Sequence, residues 1–191
     1  MENKPAKTPR TALDRDAWIK GAIAILADHG AERLRVEVLA KRLGVTKGSF
    51  YWHFKDRRDL QDAVLEFWKD GRLRDIRKQT QAEPGGEAAA LLHTMEVYAS
   101  ARNRKGIAIE AAVRDWARRD LRAVAVVEAV DAERLACACR LFLACGIEEK
   151  EAQARSLMLY AYVFGVSLMR CGAFSNDIES LKAWIAQRIA R

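Results

Sequence analysis

Prolines are rare in this sequence, and no segment alternates apolar and polar residues like a half-buried strand. Three prolines and eleven glycines in 191 residues leave long stretches rich in Ala, Leu, Arg and Glu, a composition typical of helices. Half of the residues are hydrophobic and 31% are charged, which excludes a disordered chain. The sequence therefore predicts an all-α globular protein.

Long apolar segments are also missing. The longest, Leu157–Met169, has 13 residues between Arg155 and Arg170, which is too short to cross a bilayer. Residues 1–10 are polar and basic, without the apolar centre of a secretory signal. We therefore expect a cytoplasmic protein without a membrane partner.

Motifs of catalysis and metal binding are absent as well. The chain has no phosphate-binding glycine loop, HExxH, CxxC pair or serine nucleophile elbow. Its four cysteines are expected to stay reduced in the cytoplasm and to be small buried residues. Cys137 and Cys139 would point to opposite sides of a helix, which leaves redox sensing or metal binding a minor alternative. We expect no enzyme, no metal and no cofactor.

Positive charge is concentrated near the amino terminus. The net charge is +7. Residues 1–58 contain 13 Lys and Arg against 7 Asp and Glu, whereas the remaining residues contain 20 against 19. This asymmetry indicates an amino-terminal domain that faces a polyanion, followed by a nearly neutral domain.

The basic segment contains the pattern of two short helices joined by a tight turn, over residues 35–54. Apolar residues of the first helix have the i, i+3, i+4, i+7 spacing of one buried face (Val36, Leu39, Ala40, Leu43). Gly44 follows, where a helix can end with positive φ, and Val45 is expected to be buried. Thr46 is a suitable N-cap for the second helix, whose inner face carries Phe50 and Phe54.

The outer surface of the second helix is basic, hydroxylated and aromatic. Gly48 costs about 1 kcal/mol relative to alanine inside a helix, a cost that makes sense where a phosphate backbone must come close. Any two-helix hairpin could share the apolar spacing. Consecutive Tyr51, Trp52 and His53 on a partly solvated helix favour a helix-turn-helix that reads DNA instead.

These residues resemble the DNA-binding motif of the tetracycline-repressor-like (TetR) family, in the order Val36-x-x-Leu39-Ala40-x-x-Leu43-Gly44-Val45-Thr46-x-Gly48-x-Phe50-Tyr51-x-His53-Phe54. The resemblance covers roughly residues 12–72. It implies a three-helix helix-turn-helix domain there and a helical effector-binding and dimerisation domain over 73–191, with about nine helices in total. Arg35 departs from the family, which usually has Ser or Thr as the cap. Arginine cannot accept that hydrogen bond but can reach a phosphate.

Contacts with double-stranded DNA are assigned residue by residue. We expect Lys47 to contact a base edge, with Thr46 and Ser49 beside it. Gly48 allows close approach, and Trp52 is expected against a thymine methyl group or a sugar. Phosphate contacts are expected from five residues: Arg35, Tyr51, His53, Lys55 and Arg57. Residues 1–11 are expected to be a flexible basic tail, with a minor-groove arm as the alternative.

A fourth helix over about 57–80 is expected to link the two domains, because it is long enough to leave the first. Five more helices are predicted, at roughly 87–103, 106–118, 120–145, 148–171 and 177–190. The stretch 157–169 is apolar on every face, so one side is expected to face a second copy of the chain. The predicted homodimer interface consists of Leu157, Ala161, Gly165, Leu168, Trp184 and Ile185. The alternative is that both helices fill a monomeric core.

The resemblance also implies a small-molecule effector that shifts the fourth helix. Candidate pocket residues follow from position alone: Tyr98, Trp116, Phe142 and Tyr160. Four aromatic residues with few convergent charges would suit a largely apolar ligand. The helical carboxylates, Glu110 and Asp131 among them, are expected on solvated faces.

We therefore expect a ligand-responsive, dimeric repressor that a small molecule releases from a palindromic operator. Alternatives are a DNA-binding regulator without an effector and an activator. A further alternative is an enzyme or interaction module that kept the fold and lost DNA binding.

Overall fold

The structure is a computed structural model that describes residues 13–99 and 104–190. The predicted tail over residues 1–11 lies outside these ranges. Within them the chain is all-helical, as predicted, with nine α-helices and no strand. The helices are α1 (Arg15–His29), α2 (Val36–Leu43), α3 (Lys47–Phe50), α4 (Arg57–Gln79), α5 (Glu87–Ala99), α6 (Arg104–Ala117), α7 (Leu121–Ala144), α8 (Glu149–Leu168) and α9 (Ile178–Ala190). A 3₁₀ turn, Ala31–Arg33, lies between α1 and α2.

Local sequence signals set most helix ends. Asp14 caps α1 by accepting a hydrogen bond from the Ala17 amide at 2.7 Å, and Asp56 caps α4 through the Asp59 amide at 2.9 Å. Gly44 ends α2 in the left-handed conformation, with φ of 67°. Helix α8 ends at Leu168, three residues earlier than predicted.

The amino-terminal core forms around aromatic rings from α1 and α3. Trp18 of α1 packs edge-on against Phe50, with ring centroids 5.5 Å apart. Phe50 stacks on Phe54 at 5.2 Å, and all three side chains are buried. These contacts fix the orientation of α3, which is too short to be stable alone.

Helices α4, α6 and α7 extend the same hydrophobic cluster into the carboxy-terminal part of the chain. Leu60 and Val64 of α4 belong to it together with Val113 and Trp116 of α6. Helix α6 also packs directly on α1. The amino-terminal helices are therefore attached through α6 as well as through α4, the link expected from the sequence.

A second hydrophobic cluster joins α5, α7, α8 and α9. Phe142 of α7 and Leu159 of α8 are fully buried in it. The cysteines are free; Cys137 is buried as predicted. Cys145 is exposed because α7 ends there, which corrects the expectation that all four are buried. In the described part of the chain, no helix is long and apolar enough to cross a membrane.

Candidate nucleic-acid interface and ligand cavity

The helix-turn-helix is present at the predicted residues. Helix α2 ends at Gly44, and α3 spans Lys47–Phe50 before a turn over residues 51–53. Thr46 occupies the N-cap position, but within the described chain its side chain makes no capping bond. Ser49 Oγ instead donates to the Thr46 carbonyl at 2.7 Å. Val45 is half-buried at the edge of the core, not buried as predicted, because the turn leaves one side of it open.

The outward side of α3 and its following turn forms an exposed basic and aromatic surface. We call it the recognition surface, and it consists of Thr46, Lys47, Gly48, Ser49, Tyr51, Trp52 and His53. The Tyr51 side chain is 63% exposed and that of Trp52 is 87% exposed. The adjacent Phe50 and Phe54 are anchored in the core. The surface is therefore held rigidly although its own large side chains contact solvent.

Gly48 has no structural need to be glycine. Its φ is not positive, and a Cβ built there would approach, among the described atoms, only Thr46 Oγ1, at 3.8 Å. This is ordinary van der Waals contact. Since a helical glycine costs about 1 kcal/mol relative to alanine, the absence of a side chain fits close approach by an external partner.

Three cations flank the recognition surface, and the structure separates their roles. Arg35 and Lys55 are exposed, and within the described residues the Arg35 side chain caps no helix. The Arg57 Nε donates to the Leu34 carbonyl at 2.6 Å, and its Nη2 lies 3.3 Å from the carbonyls of Ala31 and Glu32. Arg57 therefore stabilises the connection between α1 and α2. The sequence analysis did not predict this structural role. Because the Arg57 side chain already donates to three carbonyls, few of its N–H groups remain for a phosphate.

Lys47 has an ion-pair partner that the sequence analysis missed. Its Nζ lies 2.8 Å from Oε1 of Glu37, and both side chains are about 60% exposed. The hydrogen bond from Lys47 lowers the pKa of the Glu37 carboxyl. No periodicity signals this pair, because the two residues lie on different helices, ten positions apart in sequence.

A cavity of about 300 Å³ lies in the carboxy-terminal part of the chain, and we call it the α6 cavity. Helix α6 supplies half of its lining and α8 supplies three residues, whereas α4 and α5 supply one each. Its lining residues are Arg72, Tyr98, Gly106, Ile107, Glu110, Ala111, Arg114, Asp115, Arg118, Phe164, Ser167 and Leu168. Its volume falls at the lower end of the range for small-molecule sites.

The predicted pocket aromatics are mostly elsewhere. Tyr98 lines the cavity, but Phe142 is fully buried in the second hydrophobic cluster. Tyr160 is buried behind Tyr98, with their ring centroids 6.3 Å apart. Trp116 faces a different cleft, between α6 and the loop after α1, and its Nε1 donates to Asp120 at 3.1 Å. These three residues therefore lie away from the α6 cavity, because residues on one helix face different neighbours, and their assignment to an effector stays a prediction.

A buried charge network lies behind the cavity, against the expectation of few convergent charges. The Arg134 side chain is 1% exposed, and its two Nη atoms donate to the Glu110 carboxylate at 3.0 and 2.7 Å. Arg114 donates to Glu110 and bidentately to Asp131. Its ion pairs raise the pKa of Arg134 although burial opposes the charge. Glu110 is thus buried rather than solvated, which corrects the prediction for that carboxylate.

The outer faces of α8 and α9 are apolar and exposed. The Leu157, Leu168 and Trp184 side chains are 62%, 69% and 57% exposed. Ile185 is 36% exposed and Ala161 is also exposed. Within the described chain, a Cβ built on Gly165 would meet no atom within 4 Å. All six predicted interface residues therefore lie outside the fully buried core, and Leu168 also borders the α6 cavity.

Comparison with known proteins identifies the amino-terminal region. Residues 19–64 match the model of the tetR family of bacterial regulatory proteins. The class C tetracycline repressor of Escherichia coli is 48% identical over 54 residues, which are 28% of this chain and 25% of that protein. The matched part is thus about a quarter of that relative's length.

Solved structures extend the likeness to the whole fold. A transcriptional regulator from Rhodococcus sp. Rha1 is 21% identical, with a TM-score of 0.71 over 93% of this chain and 94% of that one. SmeT in its complex with triclosan is 19% identical, with a TM-score of 0.63 over 92% and 88% of the two chains. The two comparisons lead to one conclusion: residues 19–64 carry the DNA-binding region of the tetR family of bacterial regulatory proteins, and the chain as a whole shares the all-α fold of these solved regulators.

Proposed function

We propose that this protein is a dimeric transcriptional repressor that binds a palindromic operator and releases it when a small molecule binds. The observation that carries the proposal is the recognition surface. Tyr51 and Trp52 are 63% and 87% exposed beside an exposed Lys47. Large exposed side chains on a rigid element indicate a surface that meets a partner, and the local positive charge favours a polyanion.

Within this proposal, different residues of the recognition surface contact bases, phosphates and sugars. Lys47 donates to O6 or N7 of guanine in the major groove, with Thr46 and Ser49 at the same edge. Arg35, Tyr51, His53 and Lys55 contact phosphates, which position the helix without reading sequence. Trp52 packs on a thymine methyl group or a sugar, and Gly48 lets the backbone come close. Arg57 supports the α1–α2 connection and has at most a minor share in phosphate binding.

Dimerisation supplies the two-fold symmetry that a palindrome requires. The exposed apolar faces of α8 and α9 support a four-helix interface made from two chains. Gly165 and Ala161 lie four residues apart on α8 and permit close helix approach. Two recognition helices would then enter successive major grooves, about 34–36 Å apart.

The effector part of the proposal rests on the α6 cavity. Its lining includes Arg72 of α4, which reaches the amino-terminal core, and α6 itself packs on α1. A ligand that prefers one arrangement of these helices would change the spacing of the recognition helices. A typical coupling of about 1–3 kcal/mol would weaken DNA binding roughly 5- to 150-fold. SmeT, which shares the fold, is in complex with triclosan.

Alanine substitution of the recognition surface tests the DNA contacts. In a fluorescence anisotropy assay with the upstream palindrome, Lys47→Ala should weaken binding by about 1–3 kcal/mol, or 5- to 150-fold. Tyr51→Ala should weaken binding to all duplexes. Lys150→Ala, on α8, is the matched control and should bind like the wild type. Unchanged affinity in both recognition variants would contradict the proposal.

Sedimentation velocity tests the dimer. Leu157→Glu places a charge on the exposed face of α8, so it should shift the chain toward the monomer and weaken operator binding. Leu121→Glu is the matched control, because Leu121 is 84% exposed on α7, outside that face. A wild-type chain that is monomeric at micromolar concentration would refute the dimer.

A ligand screen tests the effector and separates the proposal from a regulator without one. Compounds that raise Tm are assayed for release of operator DNA. If no stabilising compound changes DNA affinity, the protein is a DNA-binding regulator without an effector.

A further inference from the structure

We propose that the ligand of the α6 cavity is a monocarboxylic acid with an apolar body, and that Arg72 binds its carboxylate. This inference rests on the proposed small-molecule effector and specifies its chemical class. It replaces the largely apolar ligand expected from the sequence, because the cavity wall carries a positive charge that the described protein compensates only by a long contact with an exposed carboxylate.

The residues that line the cavity carry one more positive than negative charge. Three arginines and two carboxylates line the cavity: Arg72, Arg114, Arg118, Glu110 and Asp115. Behind them, Arg134 and Asp131 add one charge of each sign. Arg114 and Arg134 are matched by Glu110 and Asp131 at 2.6–3.0 Å. This inner network is therefore closed, and it needs no ligand.

Asp115 and Arg118 do not account for the excess. Both residues are exposed, Asp115 on the last turn of α6 and Arg118 just after the helix, where water solvates their charges. They contribute one charge of each sign at the mouth of the cavity. The charge left over among the lining residues therefore belongs to Arg72, the one lining residue from α4, whose carboxylate partner Asp75 lies outside the lining.

Arg72 is poorly paired within the described residues. Its side chain is 13% exposed, and its nearest carboxylate is Asp75, at 3.8 Å and itself 57% exposed. Its Nε is buried without an acceptor. Leaving a buried donor unpaired typically costs about 1–3 kcal/mol, and more for a charged group. A carboxylate in the cavity could bind the Arg72 guanidinium bidentately. Pairing at Nε itself would need a shift of the side chain, because that atom is buried.

The location of this donor singles it out. The described chain has two other buried side-chain nitrogens without an acceptor, Trp18 Nε1 and Arg155 Nη1. Neither belongs to a residue that lines the α6 cavity. Among the described residues, Arg72 is therefore the one that both carries an unpaired buried donor and lines the α6 cavity.

The rest of the wall suits an apolar body. Ile107, Ala111, Leu168 and the rings of Tyr98 and Phe164 line the cavity. The Phe164 ring lies below the Arg114 guanidinium, 4.6 Å from it, so that cation is already in contact with the protein. One anionic group on an apolar skeleton matches one excess positive charge in a cavity of about 300 Å³, whereas a phosphate dianion would overcompensate it.

The test compares acids with uncharged analogues of the same skeleton. Aliphatic and aromatic carboxylic acids of increasing size are paired with their primary amides, and binding is measured by Tm and by calorimetry. The acids should raise Tm and the amides should not. Arg72→Gln should weaken acid binding at least tenfold, and Arg72→Lys should retain part of it. Arg77→Gln is the matched control on α4, since Arg77 pairs with Glu133 and does not line the cavity.

Each result has a defined meaning. Equal binding of acids and amides, unchanged acid affinity in Arg72→Gln, or no acid that binds at millimolar concentration would overturn the inference. The comparison in the wild-type chain needs no variant, so a folding defect in Arg72→Gln cannot hide the answer. Acids that bind through Arg72 but leave operator affinity unchanged would uphold the inference and refute the effector part of the proposed function.

Discussion

Lys47 Nζ and Glu37 Oε1 lie 2.8 Å apart on the recognition surface, so the cation assigned to a base edge is held by a carboxylate of α2. Both side chains are exposed, and exposed pairs contribute little to stability. In the proposed complex, the pair would instead affect how Lys47 meets DNA. A carboxylate beside a groove repels phosphates and competes with a base for Lys47.

Glu37→Gln should therefore bind non-cognate duplex more tightly and discriminate the operator from it less well. The effect should shrink at high salt, because exposed charges are screened. Anisotropy titrations against operator and scrambled duplex at two salt concentrations measure it. Asp28→Asn, which removes the exposed carboxylate partner of Arg42, should leave discrimination unchanged. If Glu37→Gln discriminates operator from scrambled duplex as well as the wild type does, Glu37 pairs with Lys47 without affecting DNA specificity.

Gly48→Ala should change stability and DNA binding in opposite directions. The fold has room for the added methyl group, and alanine is preferred in helices by about 0.8–1 kcal/mol. Tm should therefore stay the same or rise slightly. Operator affinity should fall, because the methyl group occupies the space that a phosphate backbone would use. Thermal unfolding and anisotropy on the same sample report the two effects, and unchanged affinity would contradict the close approach.

Arg134→Met should destabilise the protein by about 3–5 kcal/mol, because removing one partner of a buried ion pair leaves the other charge uncompensated. The double variant Arg134→Met, Glu110→Gln should recover part of this loss. Urea unfolding gives both values. Arg77→Met, which breaks the pair between the exposed Arg77 and the half-buried Glu133, should cost less than Arg134→Met. Equal losses in the single and double variants would refute coupling between Arg134 and Glu110.

Asp120 should make the protein sensitive to acid. Its hydrogen bonds, above all with the Arg122 side chain, lower the pKa of its carboxyl to about 2, whereas an unfolded Asp has a pKa of about 3.9. A lowered pKa stabilises the fold above the unfolded value, and that stability is lost as pH falls toward 2.

Asp120 is the N-cap of α7 and accepts a hydrogen bond from the Arg122 amide at 3.0 Å. Asp120→Asn keeps a capping oxygen but removes the charge. It should cost about 1–2 kcal/mol at neutral pH, and the cost should vanish between pH 4 and pH 2. Urea unfolding of both proteins across that range gives the difference curve. A difference that does not depend on pH would contradict the lowered pKa.

The sequence by itself determined the all-α class, the helix-turn-helix and the approximate positions of helices α2 to α9. These features depend on neighbours within four residues: Asp14 and Asp56 at helix starts, Gly44 at a helix end, and Phe50 and Phe54 on one face. Spacing of that kind is read directly from the chain. The exposed apolar stripe of α8 followed from the same periodicity, because a helix that is apolar all round must be covered on both sides.

The tertiary structure alone decided which side chains meet across helices. It buried Glu110 against Arg134, 24 positions away, placed Lys47 against Glu37, and turned the Arg57 guanidinium toward the carbonyls of residues 31–34. It also put Tyr98 at a cavity and Phe142 in a core. Periodicity gives the face of a helix on which a residue lies. Which neighbour covers that face depends on how the whole set of helices packs, and that packing determines both the cavity and its charge.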